Sequence, residues 1–215
     1  MANSPHIRLS IEGTIQNTQS WSTGVSVQGP AGAPTQAQWL AWLTDVQAAF
    51  ATYHDAANGA MHAISSQVSV KNLRAYYYPA GQTTSSGEGS VTSPFTGPDS
   101  AVLPAQCSVV HSLRTASTSR HGRGRMYIPA LAAPMSSATL RLGTGVAGPY
   151  ATALAAFLSS IGGLAIDSVP TAPVIAPRGA GALIPIVTVQ VDNVIDTQRN
   201  RRNKILYTDR GIANL

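Results

Sequence analysis

Residues 103–129 read LPAQCSVVHSLRTASTSRHGRGRMYIP, and here the chain's apolar strand pattern meets a dense cluster of positive charge. From Gln106 to Leu113 the sequence alternates loosely and carries Val109, Val110 and Leu113, a pattern that predicts a strand buried mainly on one face. Arg114, Arg120, Arg123 and Arg125 follow, with Gly122 and Gly124 set between them. Met126, Tyr127 and Ile128 return the chain to apolar character, and Pro129 stops a regular ladder. The stretch therefore reads as core, basic loop, core.

The flanking sequence supplies further strands and two helices. His6 to Glu12 alternates, with Ile7, Leu9 and Ile11 on one face, and Trp21 to Gln28 alternates again. Together they predict an N-terminal hairpin with a longish connection. After the breaker run Gly29 to Pro34, Thr35 and Gln38 have the spacing of a capping box. Trp39, Leu40, Leu43, Val46, Ala49, Phe50 and Tyr53 then repeat at helical spacing, predicting a helix over 36–55 whose aromatics are core. Val68 to Tyr78 is rich in strand formers and ends in three tyrosines; these suit core or subunit packing, or a stacking platform for bases. Residues 80–100, poor in large apolar side chains and rich in Gly, Ser and Thr, predict a long loop or flexible arm. A second amphipathic helix is expected over 149–161, opened by Pro149 and closed by Gly162 and Gly163. A strand is expected over 182–191, with Pro185 marking an edge or bulge.

The composition narrows the function. Only 11% of the 215 residues are charged, whereas 44% are hydrophobic, so the chain is expected to fold. Residues 1–100 hold three Lys or Arg against five Asp or Glu, and residues 101–215 hold eleven against four, giving halves of −2 and +7. Such asymmetry places a positive face on the C-terminal part, where it meets an acidic protein, nucleic acid or headgroups, or is simply solvated. The strongest basic run, Arg199, Arg201, Arg202 and Lys204, lies near the C-terminus, and Asp196 to Gln198 before it have the character of a helix cap. No apolar run is long enough for a membrane span or a secretory signal, so synthesis in a cytoplasm is expected.

Catalytic signatures are missing. There is no GxxxxGK[ST] cradle, no GxSxG turn and no pair of acidic residues at a spacing that suggests an acid with a nucleophile. His54, Asp55 and His62 lack a further ligand at zinc-like spacing. Cys107, the one cysteine, and His111 would share a strand face yet stand apart, which argues against a thiol hydrolase. Neither a cofactor nor a metal is expected, and an enzyme is the disfavoured class.

Three phrases carry a resemblance: LPAQCSVVHSLRT, RHGRGRMYIP and, near the end, VDNVIDTQRNRRNK. Together they resemble small structural proteins of tailed-bacteriophage virions, in which an LPxQ…LRT…GRGRxYxP core is paired with a DTQRxRRxKL tail. The matching positions are Leu103, Pro104, Gln106, Leu113, Arg114, Thr115, Arg123, Gly124, Arg125, Tyr127 and Pro129, then Asp196, Thr197, Gln198, Arg199, Arg201, Arg202 and Lys204. Trp21 and Gly24 are similar to an opening strand pair of that group, and Ile205 departs conservatively from its Leu. The resemblance covers about a third of the chain. It implies an assembly component of the virion: capsid decoration, minor capsid, or a head-to-tail or tail subunit.

The expectation is thus a single α+β domain over 1–191, a mainly antiparallel sheet or sandwich with two amphipathic helices, followed by a basic segment over 192–215. Its function would be that of a non-enzymatic virion structural protein, a homo-oligomer that also meets other virion proteins. Arg114, Arg120, Arg123, Arg125, Arg199, Arg201, Arg202 and Lys204 would make its subunit or phosphate contacts. The alternative is a nucleic-acid-binding protein that uses the basic C-terminal half.

Overall fold

The structure is a computed structural model, and it describes residues 4–15, 19–60, 68–96, 107–116, 120–128, 147–176, 182–196, 204–207 and 212–215. The opening hairpin forms as its alternation requires. β1 (His6–Ile15) pairs with β2 (Gln19–Gln28) on one side and β3 (Val68–Tyr78) on the other. The register aligns Ile7 with Val27 and Tyr77, Leu9 with Val25 and Ala75, and Ile11 with Leu73. All of these are buried, so one face of the three strands is a continuous apolar surface.

Helix α1 (Gln36–Ala60) lies on the strands, with Trp39, Trp42, Leu43, Val46, Phe50 and Tyr53 buried along one stripe. Its N-terminus closes with the expected capping box. The Thr35 amide donates to Gln38 Oε1 at 2.7 Å, and the Gln38 amide donates to Thr35 Oγ1 at 3.3 Å. Helix α2 (Ala147–Gly163) packs beside α1, where Phe157 sits edge-on to Phe50 at 5.5 Å and is stacked with Tyr53 at 5.3 Å. The C-terminal turn of α2 is tied down by the buried Thr171, whose hydroxyl lies 2.6 Å from the Ile161 carbonyl.

The architecture is α+β, and among the described residues every strand pairing is antiparallel. Further strands are β4 (Gly87–Thr96), β5 (Cys107–Arg114), β6 (Arg120–Ile128), β7 (Ala165–Ile166), β8 (Val169–Pro170), β9 (Ala172–Ile175) and β10 (Ile184–Pro185). The last three are β11 (Thr188–Asp196), β12 (Lys204–Tyr207) and β13 (Ile212–Asn214). The first sheet runs β10-β9-β2-β1-β3-β4, and the second runs β12-β11-β5-β6, with β13 pairing with β11 beside β12. β7 and β8 form a separate small hairpin. The second sheet meets the first where β6 lies against β2, and α2 packs on β9, β11 and β13, so one core serves both sheets.

Two expectations are corrected. Part of the segment 80–100, expected as a loop, forms β4. Few large apolar residues are needed there because β4 is an edge strand, and Gly89 must be bare where Trp39 rests on it. Pro94 sits at a break in the β3–β4 register, the place where an edge strand tolerates a missing amide. The basic stretch after Arg114, expected as a loop, is strand β6 from Arg120 onward. Two glycines did not signal a turn because one of them is absorbed in a bulge.

Candidate assembly surface

The β5–β6 hairpin determines where the four central arginines stand. Arg114 is paired in register with Arg120, Ser112 with Arg123 and Val110 with Arg125. Leu113 is paired with His121, and the register shifts between Ser112 and Leu113, so Gly122 is the extra residue of a β-bulge. The bulge matters because strand residues alternate between faces. Without it, Arg120 would fall at positions of the opposite face from Arg123 and Arg125; with it, all four arginines occupy one face of the hairpin, opposite Leu113.

β11 extends these rows. Arg114 is flanked by Thr188 and Ser112 by Gln190, while β13 adds Asn214 beside Thr188 and Ile212 beside Gln190. No carboxylate occupies a register position in the rows through Arg114, Ser112 and Val110. Like charges directly opposite each other across a strand pair are destabilising. Moreover, Nε of Arg114 is buried with no hydrogen-bond partner among the described residues. Ser112, Thr115 and Gln190 beside it are buried polar groups, which makes this end of the sheet polar within.

The C-terminal basic run is divided. Lys204 begins β12 in register with Asp196, the last residue of β11, so opposite charges face each other across that pair. Arg199, Arg201 and Arg202 lie outside the described residues, as does the helix cap expected at Thr197 and Gln198.

The three tyrosines of β3 separate by alternation. Tyr77 is core, and its hydroxyl donates to the Ala31 carbonyl at 2.8 Å; burial raises its pKa. Tyr76 and Tyr78 are half-buried on the outer face of the first sheet. There the ring of His6 stacks on Tyr78 at 4.9 Å with 4° between planes. Burial lowers the His6 pKa, partly offset by a hydrogen bond to the Ser4 carbonyl. Arg74 is hydrogen-bonded to Tyr76 and lies near Glu12 and Glu88, which together hold its guanidinium more firmly charged. His6, Arg8 and Glu88 did not stand out in the sequence, because a polar residue at every second strand position is also the pattern of any solvated face.

Between the two sheets and the helices lies a small cavity lined by Phe50, Tyr53, His111, Leu113, Phe157 and Leu158, among others. Its volume of ≈ 20 Å³ accommodates about one water and no organic substrate. Among the described residues no group of three or more His, Cys, Asp or Glu is arranged to hold a metal ion, and no helix is long and apolar enough to cross a membrane. His111, four residues along β5 from Cys107, is buried at the cavity wall.

No family model, curated protein or solved structure matches this chain. The reading of its function therefore rests on the arginine rows themselves.

Proposed function

We propose that the protein is a non-enzymatic structural component of a tailed-phage virion, which assembles with copies of itself or with other capsid or tail subunits through its arginine-bearing second sheet. The observation that carries this reading is the Arg114–Arg120 pair: two guanidinium groups at directly opposed register positions, one with a buried Nε that no described residue satisfies. A pair of that kind is stable when an anion from outside the sheet lies between its members. The forked geometry of Arg suits carboxylates presented by a neighbouring subunit. The resemblance of the Leu113 to Thr115 and Arg123 to Pro129 segments to virion proteins points the same way.

The test is assembly. Arg120→Gln with Arg123→Gln and Arg125→Gln should leave the chain folded by circular dichroism but abolish its incorporation into particles. Normal particles from that variant would overturn the proposal, as would turnover of a substrate by the purified chain. A nucleic-acid partner would instead appear as an affinity falling by roughly 10³–10⁵-fold between about 50 and 200 mM salt.

A further inference from the structure

The free edge of the first sheet lies beneath an exposed apolar side chain. β4 is the last strand of that sheet, and among the described residues no strand pairs with its outer side. An open edge presents a row of backbone donors and acceptors that another extended chain can take up, and proteins commonly interrupt such edges with a bulge, a Pro or a Lys. In β4 the break in register falls between Thr92 and Phe95, where Pro94 lies, so Gly87 to Val91 are left regular and without a Lys. Helix α1 covers this strand, with Trp39 resting on Gly89. One flank of the helix is turned towards α2: Gln38 is bonded to Asp167 in the β7–β8 turn, and Tyr53 is stacked with Phe157. Leu40 follows Gln38 by two residues, about 200° round the helix, and so stands on the opposite flank. Because α2 packs over β9 and the second sheet, that opposite flank looks past β4 over the open edge. There Leu40 is 55% exposed, more than any other large apolar side chain among the described residues.

Strand alternation sets the chemistry of what fits. Gly89 and Val91 face the helix side, whereas Glu88 and Ser90 are exposed on the outer face. A strand added beside β4 therefore turns every second side chain towards Leu40 and the others towards the side that bears Glu88. We infer that this edge takes an extended segment of a partner protein, apolar at the alternate positions under Leu40 and basic where it runs beside Glu88. Strand addition draws its affinity from main-chain hydrogen bonds and its selectivity from the alternate side chains. Opposite charges at directly opposed positions are favoured across a strand pair, which assigns the basic residue to the neighbour of Glu88. The chain thus acts as the acceptor of a partner's strand on a surface other than the arginine rows, and this contact does not depend on them.

The experiment is titration of the full chain with a short blocked peptide of alternating valine and lysine, read by amide hydrogen exchange and by peptide affinity. At saturation, every second amide from Gly87 to Val91, those turned to the open edge, exchanges about tenfold or more slowly. Leu40→Ser weakens binding about tenfold by removing the apolar cover. Glu88→Lys reverses the charge preference, so that a peptide of alternating valine and glutamate binds about fivefold more tightly than the lysine form. Both side chains are exposed, and circular dichroism checks that the two variants remain folded. Unchanged exchange over 87–91, or a charge preference that Glu88→Lys does not alter, overturns the docking edge. So do edge amides that are already protected in the free chain, because the edge is then taken by the chain itself or by a second copy. Failure here leaves the arginine-face reading standing, and particles that form normally without the arginines leave this edge standing.

Discussion

The indole of Trp39 lies directly on the backbone of Gly89: a Cβ built on that glycine would stand 2.5 Å from Trp39 Cγ and 2.7 Å from its Cβ. The helix and the edge strand therefore meet without a side chain between them. Trp39 is almost fully buried, sits edge-on to Trp42, and has no room to move away. Gly89→Ala is expected to cost about 1–3 kcal/mol through overpacking. The denaturation midpoint of that variant, against Ser90→Ala on the exposed side of the same strand, measures it.

That contact also shows how far the sequence can be read. Periodicity revealed β1, β3, α1 and α2 because their buried residues repeat at spacings of two or three to four. It did not reveal β4, whose core-facing position beside α1 is a glycine chosen for what lies above it. Position 89 reads as loop chemistry until Trp39 is placed on it. The arginines were legible as a group, since charge density needs no structure. Their common face was not, because the alternation of RHGRGR is broken by Gly122, and a bulge can be located only once Leu113 and Ser112 are paired across from it.

The start of α1 carries a linked set of hydrogen bonds. Besides capping Thr35, Gln38 donates from Nε2 to Asp167 Oδ1 at 2.6 Å, which fastens the helix to the β7–β8 turn. Thr35→Ala should cost about 1 kcal/mol of stability. Gln38→Glu keeps the acceptor for Thr35 but sets a carboxylate against Asp167, and Asp167→Asn should relieve it. A double-mutant cycle by urea denaturation should give a coupling of about 0.5–1 kcal/mol. Strict additivity would show that the tie across the turn is energetically silent.

Asp167 and Ser168 join β7 to β8 with φ of 52° and 60°, a two-residue turn in which both central residues are left-handed. Asp tolerates this region through local hydrogen bonding, whereas Ser has less to gain from it. Ser168→Gly should therefore raise stability by about 0.5–1 kcal/mol. Asp167→Gly should gain less, because it also removes the acceptor for Gln38. Thermal melts of the two single variants should rank them in that order.

His6 makes stability depend on pH. Burial against Tyr78 depresses its pKa in the folded chain, so on acidification the unfolded chain takes up a proton before the folded one does. Stability should fall as pH drops below 6.5, and this contribution should level off below the folded value. Above 6.5 both states are neutral and the contribution vanishes. His6→Phe keeps a ring on Tyr78 without a titrating group and should flatten that part of the profile. An unchanged slope of the unfolding free energy between pH 5 and 7 would assign the dependence elsewhere.

Gly122 is the residue by which β6 departs from strict alternation, and the bulge absorbs it. Deleting it leaves Arg120, Arg123 and Arg125 two positions apart, so their pairing with Arg114, Ser112 and Val110 is kept and only the bulge is lost. If the shared face is what a partner meets, the deletion variant should fold by circular dichroism and still assemble, unlike the triple Gln variant. A deletion variant that folds but no longer enters particles would show that the local twist of the bulge, rather than the common face of the arginines, is what assembly needs.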